Sequence, residues 1–125
     1  MKEVLRNGVL NTEFQAPAVF STYKEGLVTA DGFQALHALA QAKTKGEKAK
    51  DISDETLTGR GEPWEKLNHS VVLLGWGVDE SGEKFWHLRN SYGQKWGQEG
   101  DFMLRRGHDD LGLEGEQVAF EPELL

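Results

Sequence analysis

His69 and Asn90 are the pair in this chain whose types and spacing could carry chemistry together. They stand 21 positions apart, each at the edge of a strand-like run. His69 opens the apolar run Ser70–Leu74, and Asn90 closes the alternating run Phe85–Asn90; the hairpin-like link DESGEK joins the two. An imidazole is the usual proton carrier near neutral pH. A carboxamide accepting a hydrogen bond from one ring nitrogen fixes the tautomer and leaves the other nitrogen for a nucleophile. This is the orienting logic of a triad, with Asn in place of Asp. Tyr92 and Trp96 follow closely enough to keep water off that bond and so strengthen it. On spacing alone, such a pair is more often structural than catalytic.

The nucleophile cannot come from a thiol of this chain, because its 125 residues include no cysteine. Disulfides and thiolate metal sites within the chain are excluded with it. The scattered His87 and His108 lack carboxylates at ligand spacing, so neither a metal site nor another cofactor is expected. The 14 basic and 21 acidic residues leave a net charge of −7. That balance argues against a nucleic-acid partner or an anionic membrane surface, since both call for surplus positive charge. No apolar run approaches the length of a membrane span, and MKEVLRNG lacks the apolar core of a signal peptide. Apolar residues at 38% and charged residues at 28% suit one globular domain with a modest core.

The elements that must position His69 and Asn90 read as follows. Met1–Asn7 has the pattern of a helix end, with Gly8 as C-cap. So short a helix is marginal alone, which suggests that the chain is a fragment of something longer. Val9–Gln15 reads as a strand. Pro17 starts a helical turn ended by Gly26, with Val19, Phe20 and Tyr23 inward. Asp31–Lys45 reads as a helix, N-capped by Asp31 with Gln34 completing a capping box. Lys43–Pro63, rich in interleaved charges, reads as a solvated loop. Beyond Trp64, Val71–Leu74, Phe85–Asn90, Asp101–Arg106 and Val118–Phe120 read as strands. Gly75 and Gly77 around Trp76 suggest a bulge or a close backbone approach. Ser81–Gly82 makes the hairpin turn. The sum is an α+β domain, a small and mostly antiparallel sheet or barrel with flanking helices.

The residues themselves carry a resemblance. NHSVVLLGWGVD, followed by FWHLRNSYGQKWGQEGDFMLRRG, resembles the C-terminal, right-hand β-barrel half of papain-like cysteine peptidases, closest to cathepsin C and cathepsin B. EVLRNGVL, the YKEG segment and the tail RRGHDDLGLE resemble further parts of the same half. The similarity covers nearly the whole chain except about residues 28–66, which reads as a charged insertion in a single domain spanning residues 1–125. The resemblance implies that His69 is the imidazole of a thiolate–imidazolium pair and Asn90 its orienter. It implies Trp96 as an indole packed over the site, Asn68 beside the substrate chain, and Glu114 at the base of the pocket for the second residue before the cut. A solvated turn acid is an equal reading of Glu114.

Tyr92 stands where the family usually has Trp, and Leu111 where cathepsin B- and C-like tails carry Cys. The nucleophilic Cys and the oxyanion-hole Gln belong to the other half of the family fold. Two readings follow. In one, the chain is the His/Asn half of a peptide-bond hydrolase, with its Cys on another segment or chain and a peptide as substrate. In the other, it is an inactive papain-like module serving as an interaction subunit of a larger assembly. The chain cannot be active alone in either. The resemblance implies a lysosomal or secretory setting.

Overall fold

The computed structural model describes residues 1–33, 35 and 67–119. Most of the expected helix Asp31–Lys45, the solvated loop Lys43–Pro63 and Phe120 lie outside the described residues. Helix α1 (Lys2–Asn7) ends at Gly8, whose φ of 92° and amide bond to Val4 O close the last turn. Glu3 in the first turn and Arg6 in the last complement the helix dipole. Then come β1 (Leu10–Phe14), a 3₁₀ turn (Ala18–Thr22), β2 (Leu27–Val28), β3 (His69–Val78), β4 (Lys84–Arg89), β5 (Asp101–Arg105), a second 3₁₀ turn (Asp110–Gly112) and β6 (Gln117–Val118).

The six strands form one sheet in the order β2-β5-β4-β3-β1-β6. It is mixed, since β2 runs parallel to β5 while the other pairs are antiparallel. Alternation explains which residues are inside. Leu10, Thr12 and Phe14 of β1, Val71 and Leu73 of β3, Leu88 of β4, and Phe102 and Leu104 of β5 are all buried. Thr12 can be buried because its hydroxyl donates to Leu113 O and Glu116 O, at 3.1 and 3.0 Å, which also pins the tail to β1. Leu111 is fully buried in this core.

The helix that follows β2 starts earlier than the sequence suggests. Ala30 is already helical, and the cap is Thr29, whose hydroxyl accepts the Gly32 amide at 3.0 Å. Asp31 instead reaches toward Arg105 at 3.7 Å. The buried Asp110 explains this anchoring. Its carboxylate takes Arg105 Nε at 2.9 Å, Arg105 Nη2 at 3.0 Å and the Ala30 amide at 3.3 Å, and so ties the helix start to β5.

The hairpin β3–β4 contains the one irregularity on which the site depends. From Gly75 to Val78 the partners pair as Gly75↔His87 through Val78↔Lys84, but Leu73 pairs with Leu88 and Val72 with Arg89. Leu74 is therefore an extra residue in β3, a bulge. It shifts the facing parity of the strand, so that Trp76 on one side of it and Leu73 and Val71 on the other all turn to the same face. Gly77 sits under the Phe85 ring, where a Cβ would come within 2.6 Å of it. Asp79 closes the turn by accepting the Ser81 and Glu83 amides, both at 2.9 Å.

The loop between β4 and β5 is a series of left-handed residues, and Glu99 is among them at φ 56°. A side chain there costs roughly 1–2 kcal/mol. Glycine relieves that strain and gives back about 0.4–1 kcal/mol in unfolded-chain entropy. Glu99→Gly is therefore expected to raise stability by about 0.5–1 kcal/mol, read as a higher urea midpoint with unchanged m.

Candidate active site

His69 is the first residue of β3, and Asn90 directly follows β4. Extending the register Val72↔Arg89 past the end of β4 sets Asn90 opposite Val71 and Tyr92 opposite His69. His69 and Asn90 then lie on one face as diagonal neighbours, within reach of each other. The side chains meet, with His69 Nε2 2.7 Å from Asn90 Oδ1. The Ser91 amide donates to the same Oδ1 at 2.8 Å, which identifies that atom as the carboxamide oxygen. An oxygen only accepts, so Nε2 carries a proton, and Nδ1 is the ring nitrogen with no hydrogen-bond partner among the described residues. Asn90 is 7% exposed, so the bond sits out of bulk water.

Aromatic rings hold the imidazole in place. Phe14 and Phe20 meet it edge to face at centroid distances of 5.5 and 5.9 Å, and Tyr92 tilts over it at 5.2 Å. Trp96 stands one layer back, 4.8 Å from Phe20 and 5.5 Å from Tyr92, with its indole N–H donating to Ser21 O at 3.1 Å. Tyr92 is half exposed. Phe14 and Phe20 are the site residues that the sequence does not single out. Their signal is only the inward phase of β1 and of the Pro17 turn.

A groove of about 240 Å³ opens beside the imidazole, walled by Ala16, Pro17, Phe20, Asn68, His69 and Tyr92. A larger and more polar groove, about 610 Å³, lies against Asn90, Arg89, Gln94 and Asp101 and does not include His69. The smaller groove is where a reacting bond could meet Nδ1. Among the described residues no three His, Asp or Glu side chains converge as metal ligands.

The structure does not bring all the expected site residues to this groove in the same way. Asn68 lines it, but its side chain is engaged: Oδ1 accepts the Ala16 amide at 2.8 Å and Nδ2 donates to Ala16 O at 3.2 Å. It thereby holds the groove's Ala16–Pro17 wall against the start of β3. Glu114 is not among the residues that wall this groove. Its Oε1 accepts Trp86 Nε1 at 2.9 Å and the Gly107 amide, and Trp86 lies four residues before Asn90, roughly 13 Å along the strand. That carboxylate serves as an internal acceptor between β4 and the turn after β5.

The outer face of the sheet holds one more charged cluster, in which Asp101 accepts from Arg89 and His87. The Arg89 hydrogen bond, and then that from His87, hold the Asp101 carboxyl below its usual pKa. The folded state therefore binds this proton less tightly than the unfolded chain does. The stabilisation is present above the unfolded value of about 3.9 and is lost as pH falls through the depressed folded value. Thermal scans are expected to show stability falling below about pH 4, and less steeply in Asp101→Asn.

Comparison with known proteins places the chain. A sequence model of papain family cysteine proteases matches residues 49–120. Dipeptidyl aminopeptidase 1 of Plasmodium falciparum is 35% identical over 126 aligned positions, covering 98% of this chain and 17% of that protein. Cathepsin C of Schistosoma mansoni is 33% identical (98% and 22% covered), and cathepsin B-like protease 1 of Arabidopsis thaliana 30% identical (98% and 24%). The chain thus spans 17–24% of the length of these curated relatives. Among solved structures, procathepsin B S9 of Trypanosoma congolense superposes with a TM-score of 0.64 at 18% identity, covering 98% of this chain and 32% of that one. Procathepsin L 3 from the Tenebrio molitor larval midgut gives 0.59 at 22% identity, with 92% and 28% covered. The fold is that of the papain C-terminal half, and the chain belongs to the papain family of cysteine proteases.

Proposed function

We propose that residues 1–125 form a single domain, the His- and Asn-bearing half of a peptidase of the cathepsin C or B kind. It hydrolyses peptide bonds in a cleft shared with a Cys-bearing segment or chain. One observation carries this reading: the 2.7 Å contact that puts the proton on His69 Nε2 and leaves Nδ1 free beside a groove. A structural histidine has no need of an oriented free nitrogen at a groove wall.

In this reading the cysteine thiol gives its proton to His69 Nδ1. The thiolate attacks the scissile carbonyl carbon, and the carbonyl electron pair moves onto oxygen. Collapse of that adduct expels the amine, which takes the proton back from His69, and leaves a thioester. Water then gives a proton to Nδ1 and attacks the thioester; the adduct collapses to release the acid, and Nδ1 returns its proton to the sulfur to restore the thiol. Asn90 keeps the ring in one orientation through all four proton movements. Tyr92 and the aromatic layer behind it exclude water from the Asn90 bond. Asn68 shapes the groove wall through Ala16.

The test is labelling of the complete protein with a thiol-directed acyl-ketone or epoxide probe, followed by peptide mass spectrometry. A labelled cysteine on a segment associated with this domain, together with peptidase activity that disappears in His69→Ala, supports the assignment. A purified complete protein with no labelled cysteine and no His69-dependent turnover refutes it and leaves the inactive interaction module.

A further inference from the structure

The outer face of β4 and β5 carries a carboxylate with three donors on it, directly beside Asn90. His87 and Arg89 are two residues apart on β4 and so share a face. Asp101 stands opposite Arg89 in the β4–β5 register and diagonal to His87. Arg89 Nε donates to Asp101 Oδ1 at 2.7 Å and Nη2 to Oδ2 at 3.1 Å, while His87 Nε2 meets Oδ2 at 2.8 Å. The Asp101 side chain is 14% exposed, although those of Arg89 and His87 are at 60% and 44%.

The position of this cluster gives it a role beyond surface charge. Arg89 immediately precedes Asn90, and Asp101 immediately follows Gly100. Between them runs the bond from the Asn90 amide to Gly100 O, at 2.9 Å. Asp101 also closes the loop on itself through its main chain, with Gln98 N donating to Asp101 O at 3.0 Å and Asp101 N to Gln98 O at 3.1 Å. Both ends of the ion pair thus flank a main-chain bond that ties Asn90 to the loop. β4 ends at Arg89, so past that residue the ladder no longer holds Asn90.

We propose that Asp101 is the positioning residue for Asn90: by clamping Arg89 and His87 of β4 to the first residue of β5, it fixes where the Asn90 carboxamide oxygen meets His69. The clamp has three links, from Asp101 to Arg89 by hydrogen bonds, to Asn90 by the chain, and to His69 Nε2 through Oδ1. An exposed ion pair adds little to global stability. Its effect lies in geometry, because small displacements of an orienting group weaken catalysis far more than they weaken folding. The consequence for turnover rests on the reading proposed above; the effect on the His69–Asn90 bond does not.

The experiment uses the complete protein, 15N-labelled at histidine, with Asp101→Asn, the rescue variant Asp101→Glu and the exposed control Glu80→Gln. The His69 Nε2 proton, held by Asn90, is expected downfield and slow to exchange. Asp101→Asn is expected to broaden it or move it upfield and to lower kcat about threefold, less than removal of Asn90 itself, with KM unchanged. Asp101→Glu restores part of both, and Glu80→Gln changes neither. A wild-type resonance and kcat in folded Asp101→Asn overturn the proposal. Should that variant not fold, His87→Gln and Arg89→Gln read the clamp from the other strand, and a resonance unmoved in both overturns it equally. A wild-type protein without His69-dependent turnover removes the catalytic reading and leaves the resonance as the test of the clamp.

Discussion

His69→Ala in the complete protein is expected to lower kcat/KM by roughly 10³-fold or more, and Asn90→Ala by only about tenfold. The difference follows from what each side chain supplies. His69 is the proton carrier of both half-reactions in the proposed mechanism, and general acid–base catalysis contributes about 10²–10⁴-fold. Activation of the thiol goes with it. Asn90 moves no proton. It supplies one neutral hydrogen bond, at 2.7 Å, to a ring that Phe14, Phe20 and Tyr92 also hold. Such a bond is worth about 1–1.5 kcal/mol, which is about tenfold in rate. The check is steady-state kinetics with a fluorogenic peptide. Equal losses in the two variants would mean that Asn90 does more than orient. Full activity in His69→Ala would remove the mechanism.

The second large effect is on stability. Phe20→Ala is expected to destabilise the domain by about 3–5 kcal/mol, the usual cost of emptying a buried aromatic site. Phe20 is 1% exposed, and its ring meets Trp96 at 4.8 Å, Phe102 at 5.0 Å and Phe14 at 5.2 Å, besides the more distant Phe33, His69 and Tyr92. No neighbouring side chain can fill that volume without leaving its own contacts. A small domain's stability is only about 5–15 kcal/mol, so one substitution removes a large share of it. Phe20→Leu keeps most of the volume and is expected to cost about 1–1.5 kcal/mol. Denaturant unfolding of the complete protein, followed by Trp fluorescence, compares the two. An alanine variant as stable as the leucine variant would show that the ring is not the hub its contacts describe. Activity is expected to fall with Phe20→Ala even where the protein is folded, because the imidazole loses one of its walls.

Much of this architecture is legible in the residues. Gly8 as a C-cap, the Ser81–Gly82 turn and the alternating phases of β4 and β5 all follow from local rules, because each involves neighbours in the chain. That His69 and Asn90 come to the same end of the sheet is legible from their places at two strand ends joined by a short hairpin. The glycines around Trp76 point to an irregular strand, and one is there. Local rules fail where a partner is distant. The N-cap moves from Asp31 to Thr29 because Asp110, 80 positions from Ala30, takes the Ala30 amide and draws the helix start to β5. The sheet is mixed because β2 finds β5 from far away in sequence. Asn68 and Glu114 have the right types for substrate contacts. What their polar atoms bind, Ala16 in one case and Trp86 with Gly107 in the other, is set by chain segments that spacing does not relate to them.

By itself, the sequence determined the family and the strands that bear the imidazole and the carboxamide, and it holds no cysteine. Only the tertiary structure decided that these two groups share a face. In the register Gly75↔His87, continued without interruption, Asn90 would stand opposite Val72 and point away from His69. The extra residue Leu74 shifts that register by one, and because side chains alternate with period two, one residue is the whole difference between a bonded pair and two unrelated side chains.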